Sequence, residues 1–163
     1  KRHALVGTPS VHASLIHGGI ELSTYPDHCK LQLERRMIPG ETRRDIETEV
    51  GSLLDSIRRE DSGFKTDHRI FFLRNSMEVS PKEEICLVLQ RCVQEVVGRE
   101  VLFIGGGGWL DTEIISSRGT PAVAFGPMGS GAHASVEYIE LDTVFKAART
   151  LEKTILRFCG TNE

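Results

Sequence analysis

A single histidine in a glycine-rich stretch is the strongest candidate for chemistry in this sequence. His133 follows Gly126, Gly129 and Gly131, and a short apolar run, residues 121–125, comes just before those glycines. A strand that ends in such a loop and presents an imidazole can build a site or an ordinary turn. Imidazole is the commonest metal ligand among side chains, but a catalytic zinc site takes about three protein ligands. The stretch therefore supplies one candidate ligand and no complete site.

A second glycine-rich stretch, residues 105–108, follows another apolar run at 101–104. It lacks the Lys-Ser/Thr ending of a P-loop and the spacing of a dinucleotide fingerprint. A flavin- or nucleotide-binding domain therefore remains only a minor alternative. Asp111 opens the helix predicted after these glycines, where its carboxylate fits either helix capping or an active site.

Arg36 is the third candidate, because it shares one face of a predicted strand with Lys30, Gln32 and Glu34. This face is either a solvated charged surface or a clamp for a carboxylate, which guanidinium groups bind through paired hydrogen bonds. The sequence leaves both interpretations open.

Other polar residues are weaker candidates for a functional site. His12 and His17 are five residues apart, which predicts opposite faces of one strand and no shared ion. Glu83 and Glu84 resemble a catalytic acidic pair, but a helix that starts at Ser80 explains Glu83 as a capping residue. No Ser-His-Asp spacing indicates nucleophilic catalysis.

The composition is that of an ordinary globular protein, with 163 residues, 39% of them hydrophobic, and a net charge of −3. No basic patch points to nucleic acid, and neither an apolar run nor a signal-peptide pattern points to a membrane. None of the four cysteines has C-x-x-C spacing, so free thiols in a reducing, cytoplasmic setting are expected. The chain begins without Met, as a piece of a longer protein would.

The first half predicts a small α+β lobe, residues 1–78. Alternation in residues 11–16 and 29–36 predicts two antiparallel strands, and Thr42 can cap a helix over 42–59. One apolar face of that helix carries Ile46, Val50, Leu53, Leu54 and Ile57. A third strand is expected over 68–73.

The second half, residues 79–163, predicts part of a βαβ domain. A helix should begin at Ser80 and end at Gly98, burying Ile85, Val88, Leu89, Cys92, Val93 and Val96. Apolar strands at 101–104 and 121–125 flank a helix over 109–118, and sites in parallel sheets lie beyond strand carboxyl ends. Both glycine loops are therefore expected at one sheet edge. A final helix carries Val144, Ala148, Leu151, Ile155 and Phe158. The fold class is α/β in two lobes.

Several motifs occur in the order found in a metallohydrolase family that contains acetylornithine deacetylase, succinyl-diaminopimelate desuccinylase, aminoacylase and carboxypeptidase G. The first lobe resembles that family's second, lid and dimerisation domain through residues 10–19, 24–27 and 33–41. The second resembles the end of its catalytic domain through residues 108–111, 119–127 and 132–138. The resemblance runs over nearly the whole chain.

The resemblance implies a hydrolase with two zinc ions, or cobalt or manganese in their place. It would cleave an amide bond next to a free carboxylate in an N-acyl amino acid or peptide. His133 would be a zinc ligand, and Arg36 would bind the substrate carboxylate. The loops around Gly107 and Gly126 would wall the pocket, with Asp111 also at the substrate.

The family's His-x-Asp pair, bridging Asp and Glu-Glu pair belong to an N-terminal half outside these 163 residues. Ser23 stands where the family usually has Asn. The chain is therefore expected to be the C-terminal portion of such an enzyme, inactive by itself and a homodimer through residues 1–78. The alternative is a non-catalytic dimerisation or regulatory module.

Overall fold

A computed structural model describes residues 1–160 in two compact units. The first contains Lys1–Ser76 and Gly105–Trp109, and the second contains Met77–Ile104 and the described residues from Leu110 onward. The elements are β1 Ser10–Gly18, β2 Cys29–Arg36, α1 Arg43–Glu60, α2 Glu84–Val97, α3 Thr112–Ser117, β3 Gly129–Ser130, β4 Tyr138–Ile139 and α4 Leu141–Cys159. This mixture of helices and strands confirms the α/β class. Its division into a lid lobe and part of a catalytic domain stays a prediction.

The first two strands pair antiparallel, as their alternation predicts, but β1 carries a bulge between Ala13 and Leu15. His12 therefore lies opposite Glu34 and His17 opposite Lys30. Residues that face each other across a ladder share a sheet face, and a bulge adds one residue to one strand. The prediction that the two histidines lie on opposite faces is wrong, because the extra residue brings both to one face.

Helix α1 begins at the cap that the sequence predicts. Thr42 Oγ1 accepts from the Asp45 backbone N at 3.3 Å, and Asp45 Oδ2 accepts from the Thr42 backbone N at 2.8 Å. These reciprocal bonds form a capping box, which satisfies donors that the first helical turn leaves free. The predicted apolar face is only partly covered, since Ile46 is buried whereas Leu53 is 60% exposed.

The third strand expected over residues 68–73 does not form. Instead, the carbonyl of Ile70 accepts from Arg43 Nη2 at 3.5 Å, in the first turn of α1. Alternating residues form a strand only where a neighbouring strand supplies ladder hydrogen bonds. Here a helix side chain binds the segment instead.

Helix α2 begins at Glu84, four residues after the predicted cap at Ser80. Ser80 Oγ accepts from the Lys82 backbone N at 3.2 Å, and the Ser80 carbonyl accepts from the Glu83 backbone N at 3.0 Å. These bonds close a turn, and the extended ψ of 142° at Glu83 separates it from the helix. The predicted capping role of Ser80 is therefore wrong.

The predicted βαβ unit is absent from the described residues. Residues 101–104 and 121–125 are not strands, and the intervening helix is shortened to α3. Gly105–Trp109 belongs to the first unit, whereas residues 126–131 belong to the second. The prediction that parallel strands bring both glycine loops to one sheet edge is wrong, because apolar sequence alone supplies no ladder partner.

The second unit is built on the packing of α2 against α4. The side chains buried between and around these helices are small or medium: Cys86, Leu89, Cys92, Ala147, Thr150 and Thr154. The apolar stripe predicted for α4 is not the buried face of that helix. Val144, Leu151, Ile155 and Phe158 are 37% to 59% exposed. Gly98 and Gly160 end the two helices as predicted.

The four cysteines are free, with Cys86 and Cys92 buried and Cys29 and Cys159 exposed. This confirms buried thiols in α2. None of the described helices is both long and apolar enough to cross a membrane.

Replacing Thr42 with Ala should lower the free energy of unfolding by about 1 kcal/mol, because the Asp45 backbone N loses its acceptor. Thr42→Ser keeps a hydroxyl in the same place and is the matched control. Urea denaturation followed by helical circular dichroism measures both. An equal loss of unfolding free energy in the two variants would show that the methyl group of Thr42, and not its capping hydroxyl, stabilises the helix.

A second prediction concerns Glu95 on α2, which binds Arg157 at 2.6 Å and Lys153 at 3.0 Å on α4. Hydrogen bonds from these two side chains lower the pKa of Glu95 from 4.5 to about 2. A depressed pKa stabilises the fold above the unfolded value, and that stabilisation disappears as the pH falls toward the folded one. Glu95→Gln should therefore lower the melting temperature near neutral pH and change it little at about pH 2.

The control for this measurement is Glu152→Gln, which removes an acid from α4 outside the Glu95 cluster. It should leave the pH dependence of melting unchanged. A Glu95→Gln difference that is constant from neutral to acidic pH would contradict the role of the charge.

Candidate functional site

A partly buried ion cluster fixes the corner between β2 and α1. Arg35 Nη2 lies 2.8 Å from Glu41 Oε1 and 2.8 Å from Glu49 Oε2, and the Arg35 and Glu41 side chains are only 13% and 4% exposed. Glu41 Oε2 also accepts from the Ile38 backbone N at 2.9 Å. The hydrogen bond from Arg35 lowers the pKa of Glu41 although burial raises it. Strand, turn and helix are thus joined through Arg35.

This corner determines where Arg36 lies. Successive residues of a strand point to opposite faces, so anchoring Arg35 against Glu41 and Glu49 leaves Arg36 on the other face. There Arg36 Nε donates to Glu34 Oε1 at 3.0 Å, and Nη1 donates to the Gly107 carbonyl at 3.4 Å. The Arg36 side chain is 48% exposed. Two sequence candidates, Arg36 and Gly107, are therefore neighbours.

The Gly105–Trp109 segment contacts the rest of the first unit in two further ways. A Cβ added at Gly105 would lie 2.6 Å from Val6 Cγ1 and 2.9 Å from the Leu5 backbone. The guanidinium of Arg74 lies 5.3 Å from the Trp109 ring centroid and 4.6 Å from that of Phe72, within range of cation–π attraction. Close backbone approach and an aromatic contact thus fix the segment that offers the Gly107 carbonyl.

His133 lies in the loop of the short β3–β4 hairpin. The Gly131 carbonyl accepts from the Ala134 backbone N at 2.8 Å, closing a turn. His133 has φ of 64°, a left-handed conformation that is uncommon for residues other than Gly, although Asn, Asp and His adopt it more often than the rest. Its side chain is exposed. The turn thus presents the imidazole to solvent at some cost in backbone strain.

The glycines near His133 are required by the hairpin itself. A Cβ at Gly131, which has φ of +78°, would lie 2.0 Å from the Val136 carbonyl oxygen, and one at Gly129 would lie 2.3 Å from the Tyr138 oxygen. Gly126, by contrast, has no atom within 4 Å of an added Cβ. Steric need for glycine is therefore confined to the hairpin and does not extend to Gly126.

Asp111 is the residue before α3, and its side chain makes no capping hydrogen bond. Its carbonyl accepts instead from Ile114 N at 3.0 Å and Ile115 N at 3.3 Å. Of the two roles that the sequence left open, helix capping by the carboxylate is absent. Asp111, Gly126 and His133 belong to the second unit, and Arg36 and Gly107 to the first.

The potential ligands among residues 1–160 do not fit a metal ion by themselves. Among the described residues, no group of three or more His, Cys, Asp or Glu side chains is arranged to hold one. His133 supplies one imidazole, whereas zinc in a catalytic site takes about three protein ligands.

Sequence reasoning missed the residues that hold Arg36. Glu34 and Arg36 are two residues apart, the spacing that puts two side chains on one strand face, and this signal was available. The anchoring of Arg35 by Glu41 and Glu49 had no comparable signal, because six and fourteen residues separate those partners.

Comparison with known proteins identifies the family. The sequence profile of peptidase family M20/M25/M40 matches residues 9–157. The chain belongs to this family. It therefore belongs to a group of hydrolases, as the motifs predict.

Two curated relatives of this M20 domain are acetylornithine deacetylase of Myxococcus xanthus and succinyl-diaminopimelate desuccinylase of Thiobacillus denitrificans. The first is 23% identical over 152 residues, covering 93% of this chain and 38% of that enzyme. The second is 25% identical over 152 residues, covering 92% of this chain and 37% of that enzyme. The M20 domain thus spans less than two-fifths of the length of either relative.

Replacing Gly131 with Ala should destabilise the β3–β4 hairpin by roughly 1–3 kcal/mol or more, because the new Cβ combines a strained φ with a backbone clash. Gly126→Ala is the matched control and should be near neutral. Denaturant unfolding measures both variants. Equal stability of the two would contradict the close approach of Gly131 to Val136.

Proposed function

We propose that this M20 domain is the C-terminal portion of a zinc-dependent amidohydrolase. The enzyme would act on N-acyl amino acids or small peptides that carry a free carboxylate. The supporting observation is that an M20 profile covers residues 9–157, a range that contains both His133 and Arg36. The names of the two relatives, a deacetylase and a desuccinylase, fit hydrolysis of an N-acyl group.

This proposal assigns different roles to His133 and Arg36. His133, exposed on its hairpin turn, is one ligand of a pair of zinc ions whose other ligands lie outside these residues. The ions, when bound, would activate the attacking water. Arg36 binds the substrate carboxylate through charge-assisted hydrogen bonds, for which its 48% exposed side chain is accessible. Gly107, Gly126 and Asp111 lie along the substrate, and the chain by itself is inactive.

The alternative is a non-catalytic dimerisation module derived from the same family. This alternative is consistent with the exposure of apolar residues on the β1–β2 sheet, where Val11, Ile16, Leu31 and Leu33 are 49% to 70% exposed. Pairing of two copies through residues 1–78 would cover such a surface in either case. The coding sequence upstream of Lys1 separates the two functions, since a His-x-Asp pair followed by Glu-Glu favours the enzyme.

Replacing His133 with Asn in the complete enzyme should lower kcat/KM by more than about a hundredfold, because a direct ligand matters more than its supporting shell. Asn accepts the left-handed backbone of this turn, so the loss isolates the imidazole from any effect on folding. Deacylation of N-acetyl amino acids and bound zinc per protein are the measurements. His68→Asn, in the other unit, is the matched control and should retain activity.

Zinc titration of the isolated 163-residue chain provides the opposing test. Weak binding is expected, because this chain offers one ligand. Tight binding that His133→Asn abolishes would contradict the proposal that the remaining ligands lie elsewhere. Full activity of the His133→Asn variant would show that His133 is not a zinc ligand.

A further inference from the structure

We propose that Glu34 is a positioning residue, which holds the guanidinium of Arg36 in the orientation that receives a ligand carboxylate. The inference deepens the proposed function and rests on its assignment of Arg36. It adds a residue that acts through Arg36 and not on the ligand itself.

Two acceptors bind separate parts of the Arg36 guanidinium. Glu34 Oε1 accepts from Nε at 3.0 Å, and the Gly107 carbonyl accepts from Nη1 at 3.4 Å. Within the described part of the chain, Nη2 has no hydrogen bond to a protein acceptor. The guanidinium is planar and rigid, so hydrogen bonds from two of its nitrogens in different directions restrict the orientation of the whole group. The end of the group that carries Nη2 is then left for a ligand.

Glu34 itself lies in the β1–β2 ladder, which fixes its backbone. Glu34 lies opposite His12 in the β1–β2 ladder, and its second oxygen, Oε2, is 3.6 Å from His12 Nδ1. The other Lys and His side chains on this face are Lys30 and His17, four ladder positions farther along. The hydrogen bond and charge of Arg36 lower the pKa of Glu34, so the carboxylate is ionised at neutral pH and remains an acceptor.

Glu34 has two opposing effects on a bound carboxylate. Its negative charge repels the ligand, whereas its hydrogen bond to Nε removes the rotational freedom that Arg36 would otherwise lose on binding. The Glu34→Gln and Glu34→Met variants separate these effects. Both are neutral and have side chains of similar length, but only Gln offers an oxygen to Nε.

The experiment uses the 163-residue chain and titrates it with N-acetylglycine, while N-acetylglycinamide serves as the ligand that lacks a carboxylate. The Arg36 Nε–H signal in nitrogen-15 NMR reports the hydrogen bond. We expect a protected Nε–H signal in the natural chain and in Glu34→Gln, and a solvent-exchanging one in Glu34→Met. N-acetylglycine should dissociate from Glu34→Met with a constant about threefold to tenfold larger than from Glu34→Gln.

Two controls complete the design. Glu47→Gln removes a carboxylate of similar exposure that pairs with Arg43 on α1, and it should leave both the Arg36 signal and N-acetylglycine binding unchanged. Glu34→Ala repeats the loss of the acceptor if Glu34→Met does not fold.

The outcomes distinguish this inference from the proposed function. If Arg36→Gln weakens N-acetylglycine binding but Glu34→Met and Glu34→Gln bind it equally, the positioning role of Glu34 is wrong and that of Arg36 stands. If Arg36→Gln binds N-acetylglycine as the natural chain does, the carboxylate role of Arg36 fails, and the inference with it. A natural chain with a freely exchanging Arg36 Nε–H would also overturn the inference.

Discussion

The ion cluster of Arg35 with Glu41 and Glu49 is the interaction on which the first unit depends. Most ion pairs among residues 1–160 join exposed side chains, which contribute little to stability. Arg35 and Glu41 are instead 13% and 4% exposed, and breaking a pair so shielded leaves an uncompensated charge. Because the cluster spans the strand, the turn and the helix, it determines the face on which the next residue, Arg36, can lie.

Glycine serves different purposes in the two candidate loops. In Gly105–Trp109 it permits close packing on Leu5 and Val6, so that the Gly107 carbonyl lies beside Arg36. In the β3–β4 hairpin, Gly129 and Gly131 permit two backbone segments to approach each other. The His133 turn is therefore a product of hairpin geometry, and the imidazole is presented by a strained backbone.

Several local patterns predicted well, although the Ser80 cap failed despite the short distance to its partners Lys82 and Glu83. The antiparallel β1–β2 pair, the Thr42 cap and the Gly98 stop of α2 all depend on nearby residues. Predictions failed where the partner is distant, as for the strands at 68–73, 101–104 and 121–125. An apolar run becomes a strand only if another strand completes its hydrogen bonds. The α4 stripe failed similarly, since helix periodicity identifies an apolar face but not what covers it.

The sequence by itself determined the family, since the profile of that family matches residues 9–157 although the two relatives are only 23% and 25% identical. It also identified His133 and Arg36 as candidates, because imidazole and guanidinium have few chemical substitutes. Only the tertiary structure decided that Glu34 and Gly107 hold Arg36, and that the β1 bulge puts His12 and His17 on one face. Such outcomes depend on backbone register and long-range hydrogen bonds, and residue types alone do not specify either.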